Sequence, residues 1–127
     1  MTKAQAVYTF WSSFGYPAYD ETTVPIGDLA PDFPYVTFSY SSSAMDDAGT
    51  PVMLTASFWD RTTSWNRGEQ FAKQVSILIR HMRPIECEGG YVWIREGTPF
   101  MQRMGDPSDD MIRRILFNLD VKFLTEY

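Results

Sequence analysis

Cysteine and histidine are almost missing: Cys87 is the only thiol and His81 the only imidazole in 127 residues. One thiol closes no internal disulfide, which points to a reducing compartment. A zinc site of thiolates and imidazoles needs more such ligands than this, and a Ser-His-Asp arrangement would have to use His81. No apolar run nears the roughly 18 residues of a membrane span, and no basic-then-apolar leader opens the sequence. The expectation is a soluble chain that does not leave the cell by a signal peptide. Basic residues are scarce early on: Lys3 alone faces seven acids over residues 1–60, whereas residues 61–127 hold ten basic and nine acidic residues. A nucleic-acid backbone is gripped by a dense basic patch, and only the Arg113-Arg114 pair is dense. A reader of nucleic-acid sequence is therefore not expected.

What is present is a folding composition, 44% apolar and 16% aromatic with 21% charged. At this length the chain predicts one domain, residues 1–127, able to bury a core without disulfide or metal. Ala4, Val7, Phe10, Trp11 and Phe14 recur at helical spacing after Thr2, a capping residue, and before Gly15. Residues 16–34 hold Pro17, Pro25, Pro31 and Pro34. They read as an extended, irregular crossing, pinned by Tyr16, Tyr19, Val24 and Ile26 or bound to a partner. Val36, Phe38 and Tyr40 alternate with polar neighbours, as do Val52, Leu54, Ala56 and Phe58, giving two strands joined by a polar connection at 41–51.

Residues 64–82 predict a second helix, capped by Ser64 and stopped by Pro84, with Trp65, Phe71, Ala72, Val75, Leu78, Ile79 and Met82 on one stripe. Gly89-Gly90 between two short strands is a hairpin signal. Residues 97–110 read as a long connection, and 111–124 alternate with a period of two. Fourteen such residues span about 48 Å at ~3.4 Å each, more than the roughly 35 Å diameter of a compact domain of this size. That strand must bend, bulge, break or reach a neighbouring chain. The expected fold is α+β, two helices on one face of a mainly antiparallel sheet of four to five strands, in the order α-β-β-α-β-β-β.

Among candidate sites, Asp106, Asp109 and Asp110 could hold a hard cation, but Asp and Ser beside Pro107 are also ordinary turn chemistry. His81 belongs at a helix end, where a cation suits the dipole. Glu86 and Glu88 raise the pKa of a thiol beside them, which argues against a nucleophilic Cys87. Phe100, Met101, Arg103 and Met104, in a segment bounded by glycines, have the composition of a contact patch; packing back on their own sheet is the alternative. Arg113 and Arg114 either meet acids of another subunit or stay solvated. No cofactor, metal or catalytic residue is expected.

Several segments together resemble a known family. The run YVWIREGTPFMQRMGDPSDDMIRRI at 91–115 is similar to the C-terminal region of small tail terminator proteins of long-tailed bacteriophages and prophages of Gram-positive bacteria. FWSSFGYPAY at 10–19, TVP at 23–25 and PYVTF at 34–38 resemble their N-terminal part. The resemblance implies a virion protein assembled in the host cytoplasm, a ring, typically a hexamer, that caps the tail tube. It would stop tube polymerisation and dock the head-neck connector protein, while DNA passes through its lumen without specific binding. Two rival readings are a monomeric α+β binding module for a small ligand or peptide and a metal-dependent hydrolase built on Asp106–Asp110. Self-association and contact with the tail tube protein are the partner expectations; no membrane is among them.

Overall fold

A computed structural model of the chain describes residues 2–26, 30–39 and 52–125. Thr2 caps the first helix, α1 (Lys3–Ser12), through a reciprocal pair: its hydroxyl accepts from the Gln5 N–H at 3.2 Å, and Gln5 Oε1 accepts from the Thr2 N–H at 2.9 Å. Ala6, Val7, Phe10 and Trp11 face the core and Phe14 packs half-buried against it; of the expected stripe Ala4 alone is exposed, with Ala6 in its place. The helix stops at Ser13, whose hydroxyl donates to the Phe10 carbonyl at 2.6 Å, and Gly15 follows at φ +90°.

The first correction is a strand inside the proline-rich crossing. Ala18–Asp20 forms β1 and pairs in parallel with β2 (Tyr35–Ser39). Tyr16 packs edge-on against Phe58, and Tyr19 against Tyr35, whereas Ile26 is exposed and pins nothing. β2 pairs antiparallel with β3 (Val52–Arg61). The 41–51 connection and Tyr40 lie outside the described residues.

The second helix, α2 (Asn66–His81), begins after the expected Ser64 cap; the Ser64 hydroxyl instead accepts from the Asn66 N–H at 3.1 Å. Phe71, Ala72, Val75 and Ile79 are buried, with Gly68 at the closest approach to the sheet. A Cβ on Gly68 would stand 3.0 Å from the Ile115 side chain. β4 (Ile85–Cys87) turns through Glu88-Gly89, with Gly89 at φ +80°, into β5 (Gly90–Asp106).

The larger correction concerns 97–110. This segment is no loop: β5 runs to Asp106, turns at Pro107-Ser108 and returns as β6 (Asp109–Thr125). Glycine and proline here mark a bulge and a tight turn within a long hairpin, not a connection between elements. Glu96 pairs with Leu119 and Met101 with Phe117, so residues 97–100 together oppose Asn118 alone. Asn118 steadies the bulge by donating from Nδ2 to the Pro99 carbonyl at 3.0 Å. At the hairpin tip the irregularity changes strand: Gly105 pairs with Arg113 and Asp106 with Asp109, so residues 110–112 of β6 bulge relative to β5.

The result is α+β, as expected, but with a mixed sheet of six strands, ordered β1-β2-β3-β6-β5-β4, and a chain order of α-β-β-β-α-β-β-β. Register puts Val36, Phe58, Ile115, Ala56, Phe117, Leu54 and Leu119 on one face. Both helices cover that face: Phe71 of α2 stacks on Phe58 with ring centres 4.4 Å apart and meets Phe117 at 5.6 Å, while Trp11 of α1 reaches Phe117 at 6.0 Å. A dry aromatic knot at the middle of β6 thus joins both helices to the sheet.

Candidate interaction surface

The other face of the sheet has no helix over it among the described residues. Cross-strand pairing places Trp59 of β3 beside Tyr35 of β2 and Arg114 of β6, with Met104 of β5 next in line. Tyr35 and Trp59 stack at 6.3 Å with an interplanar angle of 16°, and the Arg114 guanidinium lies 4.7 Å from the Trp59 ring centre. Trp59 Nε1 donates to Thr37 Oγ1 at 2.9 Å, and Arg114 Nε to Ser57 Oγ at 2.9 Å. These bonds explain why two hydroxyl residues on an uncovered face are nonetheless buried: the long side chains lie across them. Burial also pushes the Tyr35 phenol up from its ordinary pKa.

Farther along the same face, Arg95 sits 4.8 Å from the Trp93 ring centre, Leu116 is half-buried and Met53 is 63% exposed. The register gives this face Arg61, Arg95, Arg114 and Lys122 against Glu86 and Asp120. It is cationic and aromatic on a chain whose net charge is −5.

The six contact residues named from the sequence divide among three places. Phe100 and Met101 are half-buried, Phe100 edge-on to Phe117 at 5.5 Å, so both pack on their own core. Met104 and Arg114 are register partners on the open face. Arg103 and Arg113 lie on the helix side near the hairpin tip, where both approach Trp65, at 5.2 and 5.7 Å from the ring centre. Arg103 also pairs with Glu69 at 2.6 Å. Adjacent in sequence, Arg113 and Arg114 are therefore on opposite faces, as the period of a strand requires.

Sequence reasoning missed Trp59, Tyr35 and Trp65 as the platforms on which these arginines rest. The alternation within β3 and β6 was readable, but the offset between the two strands was not.

Asp106 and Asp109 are committed to turn geometry. Asp106 Oδ1 accepts from the Ser108 N–H at 2.8 Å and its hydroxyl at 2.6 Å. Those bonds, the hydroxyl first, hold the Asp106 pKa below its usual value. Asp109 is lowered by the Met111 N–H and then by Arg61, whose Nε donates to Oδ2 at 3.0 Å. Among the described residues no group of three or more His, Cys, Asp or Glu side chains could hold a metal ion. His81 is exposed in the last turn of α2. Cys87 is buried, and burial foremost raises its thiol pKa, with Glu88 adding to the rise and Lys3 opposing it.

A cleft of about 770 Å³ opens where the C-terminal end of α2 overhangs β5; Arg80, Arg95, Glu96, Asp120 and Lys122 contribute charge to its wall. Ser76 Oγ donates to Glu96 at 2.6 Å, and Arg80 approaches the same carboxylate at 3.7 Å. Among the described residues no helix is long and apolar enough to cross a membrane. Compared with protein-family models and with curated proteins, the chain matches none.

Proposed function

We propose that the chain is a structural virion protein that caps a phage tail tube as a ring and acts by surface complementarity, halting tube growth and offering a docking surface to the head connector. The reading starts from the segment resemblances at 10–38 and 91–115. One structural observation carries it further: the sheet is covered by helices on one face only, while the other presents Tyr35, Met53, Trp59, Trp93, Arg114 and Leu116. An antiparallel sheet can leave one face in water when that face is polar. This one is aromatic and cationic, the composition of a contact patch.

In a closed ring each subunit buries two unlike patches. The open face carries Arg61, Arg95, Arg114 and Lys122, and the acid-rich first half is its electrostatic complement on the next copy. Arg103 and Arg113, beside Trp65 at the hairpin tip, supply a second cationic edge. The rival reading, a monomeric binding module, calls for a concave apolar pocket; the cleft beside β5 is lined largely by charged side chains.

Light scattering after size exclusion, with and without tail tube protein, tests the proposal together with negative-stain imaging. Rings on tube ends are the expected result. A chain that stays monomeric with tube protein present, and leaves tube length unchanged, overturns it.

A further inference from the structure

Asp60 is the one strongly buried carboxylate among the described residues, 3% exposed on the helix side of β3. Its Oδ1 accepts from Arg67 Nη1 at a long 3.4 Å, and its Oδ2 has no hydrogen-bond partner among them. Arg113, its register partner on β6, does not fill the gap: Nη1 donates to the Asp110 carbonyl, and Nε is itself buried and unpaired. A buried carboxylate oxygen left unpaired is costly, and most such atoms in folded proteins find a donor.

Asp60 stands in the wall of a cleft of about 390 Å³, between the end of β3 and the first turns of α2. Tyr16, Thr62, Ser64, Asn66 and Gln70 share the lining, all neutral groups with oxygen acceptors, and Arg67 is the one cation among the described residues that line it. That volume falls in the lower part of the roughly 300–1,000 Å³ range of small-molecule clefts. Arg67 is half-exposed and weakly held, so it is the movable part of the wall.

We infer that this cleft binds a primary ammonium group, with Asp60 Oδ2 as its anionic acceptor. The choice of cation follows from the carboxylate. One oxygen faces Arg67 and the other is shut off from solvent, so an entering cation reaches Oδ2 as Arg67 yields, and a compact charge fits that opening better than a planar guanidinium fork. An ammonium is a compact charge with three rotatable donors, one for Oδ2 and two for the neutral oxygens around it. The group can come from a free alkylamine or from a lysine side chain of another protein. The site is independent of whether copies of the chain form a ring.

Titration with n-butylammonium chloride, followed by the side-chain amide NMR signals of Asn66 and Gln70, tests the site. Tetramethylammonium chloride at equal ionic strength serves as the control. Saturable shifts with butylammonium alone are expected, weakened roughly tenfold or more in Asp60→Asn because a hydrogen bond to a charged group is lost. Arg67→Gln, a change at a half-exposed side chain, is expected to tighten binding by removing the competing cation. Should Asp60→Asn fail to fold, Gln70→Phe, which plugs the cleft from an exposed helix position, is expected to abolish the Asn66 shift. Nα-acetyl-lysine methylamide separates the sources: saturation by it as well assigns the site to a lysine side chain, and saturation by butylammonium alone assigns it to a free amine. Equal, unsaturable shifts with both salts, or weaker binding in Arg67→Gln, overturn the inference.

Discussion

Single side chains set the core and the turn. Phe117 touches Trp11, Phe71 and Phe100, one from each helix and one from the bulge, and is fully buried. Phe117→Ala is expected to cost about 3–5 kcal/mol, the range for truncating a buried aromatic, read as a lower urea midpoint. At the hairpin tip, Asp106 and Asp109 have pKa values held below the ordinary 3.8. A depressed carboxylate contributes stability that is present above its unfolded pKa and lost as pH falls through its folded one. Unfolding midpoints of Asp106→Asn and the parent chain should therefore differ at pH 5 and converge as pH drops below about 3.8; an unchanged difference would remove the turn bonds as its cause. Cys87 has the opposite sign, and its raised thiol predicts slow alkylation by iodoacetamide at pH 8 until the chain is unfolded.

Elements obey their local signals unevenly. Both helices were legible because Phe10, Trp11, Phe71, Val75 and Ile79 repeat at helical spacing, and Thr2 has a side chain that caps. β6 was legible because Ile115, Phe117, Leu119, Val121 and Phe123 alternate. β5 was half legible: Val92 and Ile94 alternate, but Gly97, Pro99 and Gly105 read as breakers, when two of them mark irregularities inside a paired strand. β1 was hidden because its three residues lie between prolines and owe their strand geometry to β2. Gly97 was misread most sharply, since its role depends on a neighbour no local pattern reveals. A Cβ there would lie 2.6 Å from the Asn118 carbonyl oxygen, so Gly97→Ala is expected to cost roughly 1–3 kcal/mol by overpacking. Calorimetry of that variant against Gly105→Ala, where a Cβ meets nothing within 4 Å, isolates the steric part.

For the molecule as a whole, the open face separates folding from association. Trp59 and Arg114 lie over Thr37 and Ser57 but outside the aromatic knot. Replacing Arg114 with Ala should cost about 1–2 kcal/mol, the scale of a cation–aromatic contact together with its hydrogen bond to Ser57, while removing a central cation from the proposed ring contact. Native circular dichroism with loss of rings on tube ends is the expected pair of outcomes. Rings that survive would move the contact elsewhere. The candidate residues were named from composition, and their division between two faces follows only from register.

The strand order carries a consequence for synthesis. β1, β2 and β3 come from residues 18–61, and β4 and β5 from 85–106, yet β6 alone joins the two groups. A nascent polypeptide leaving the ribosome holds two half-sheets with bare inner borders until residues 109–125 emerge. The keystone follows every strand it joins, so any product terminated before residue 109 carries open strand borders that invite aggregation.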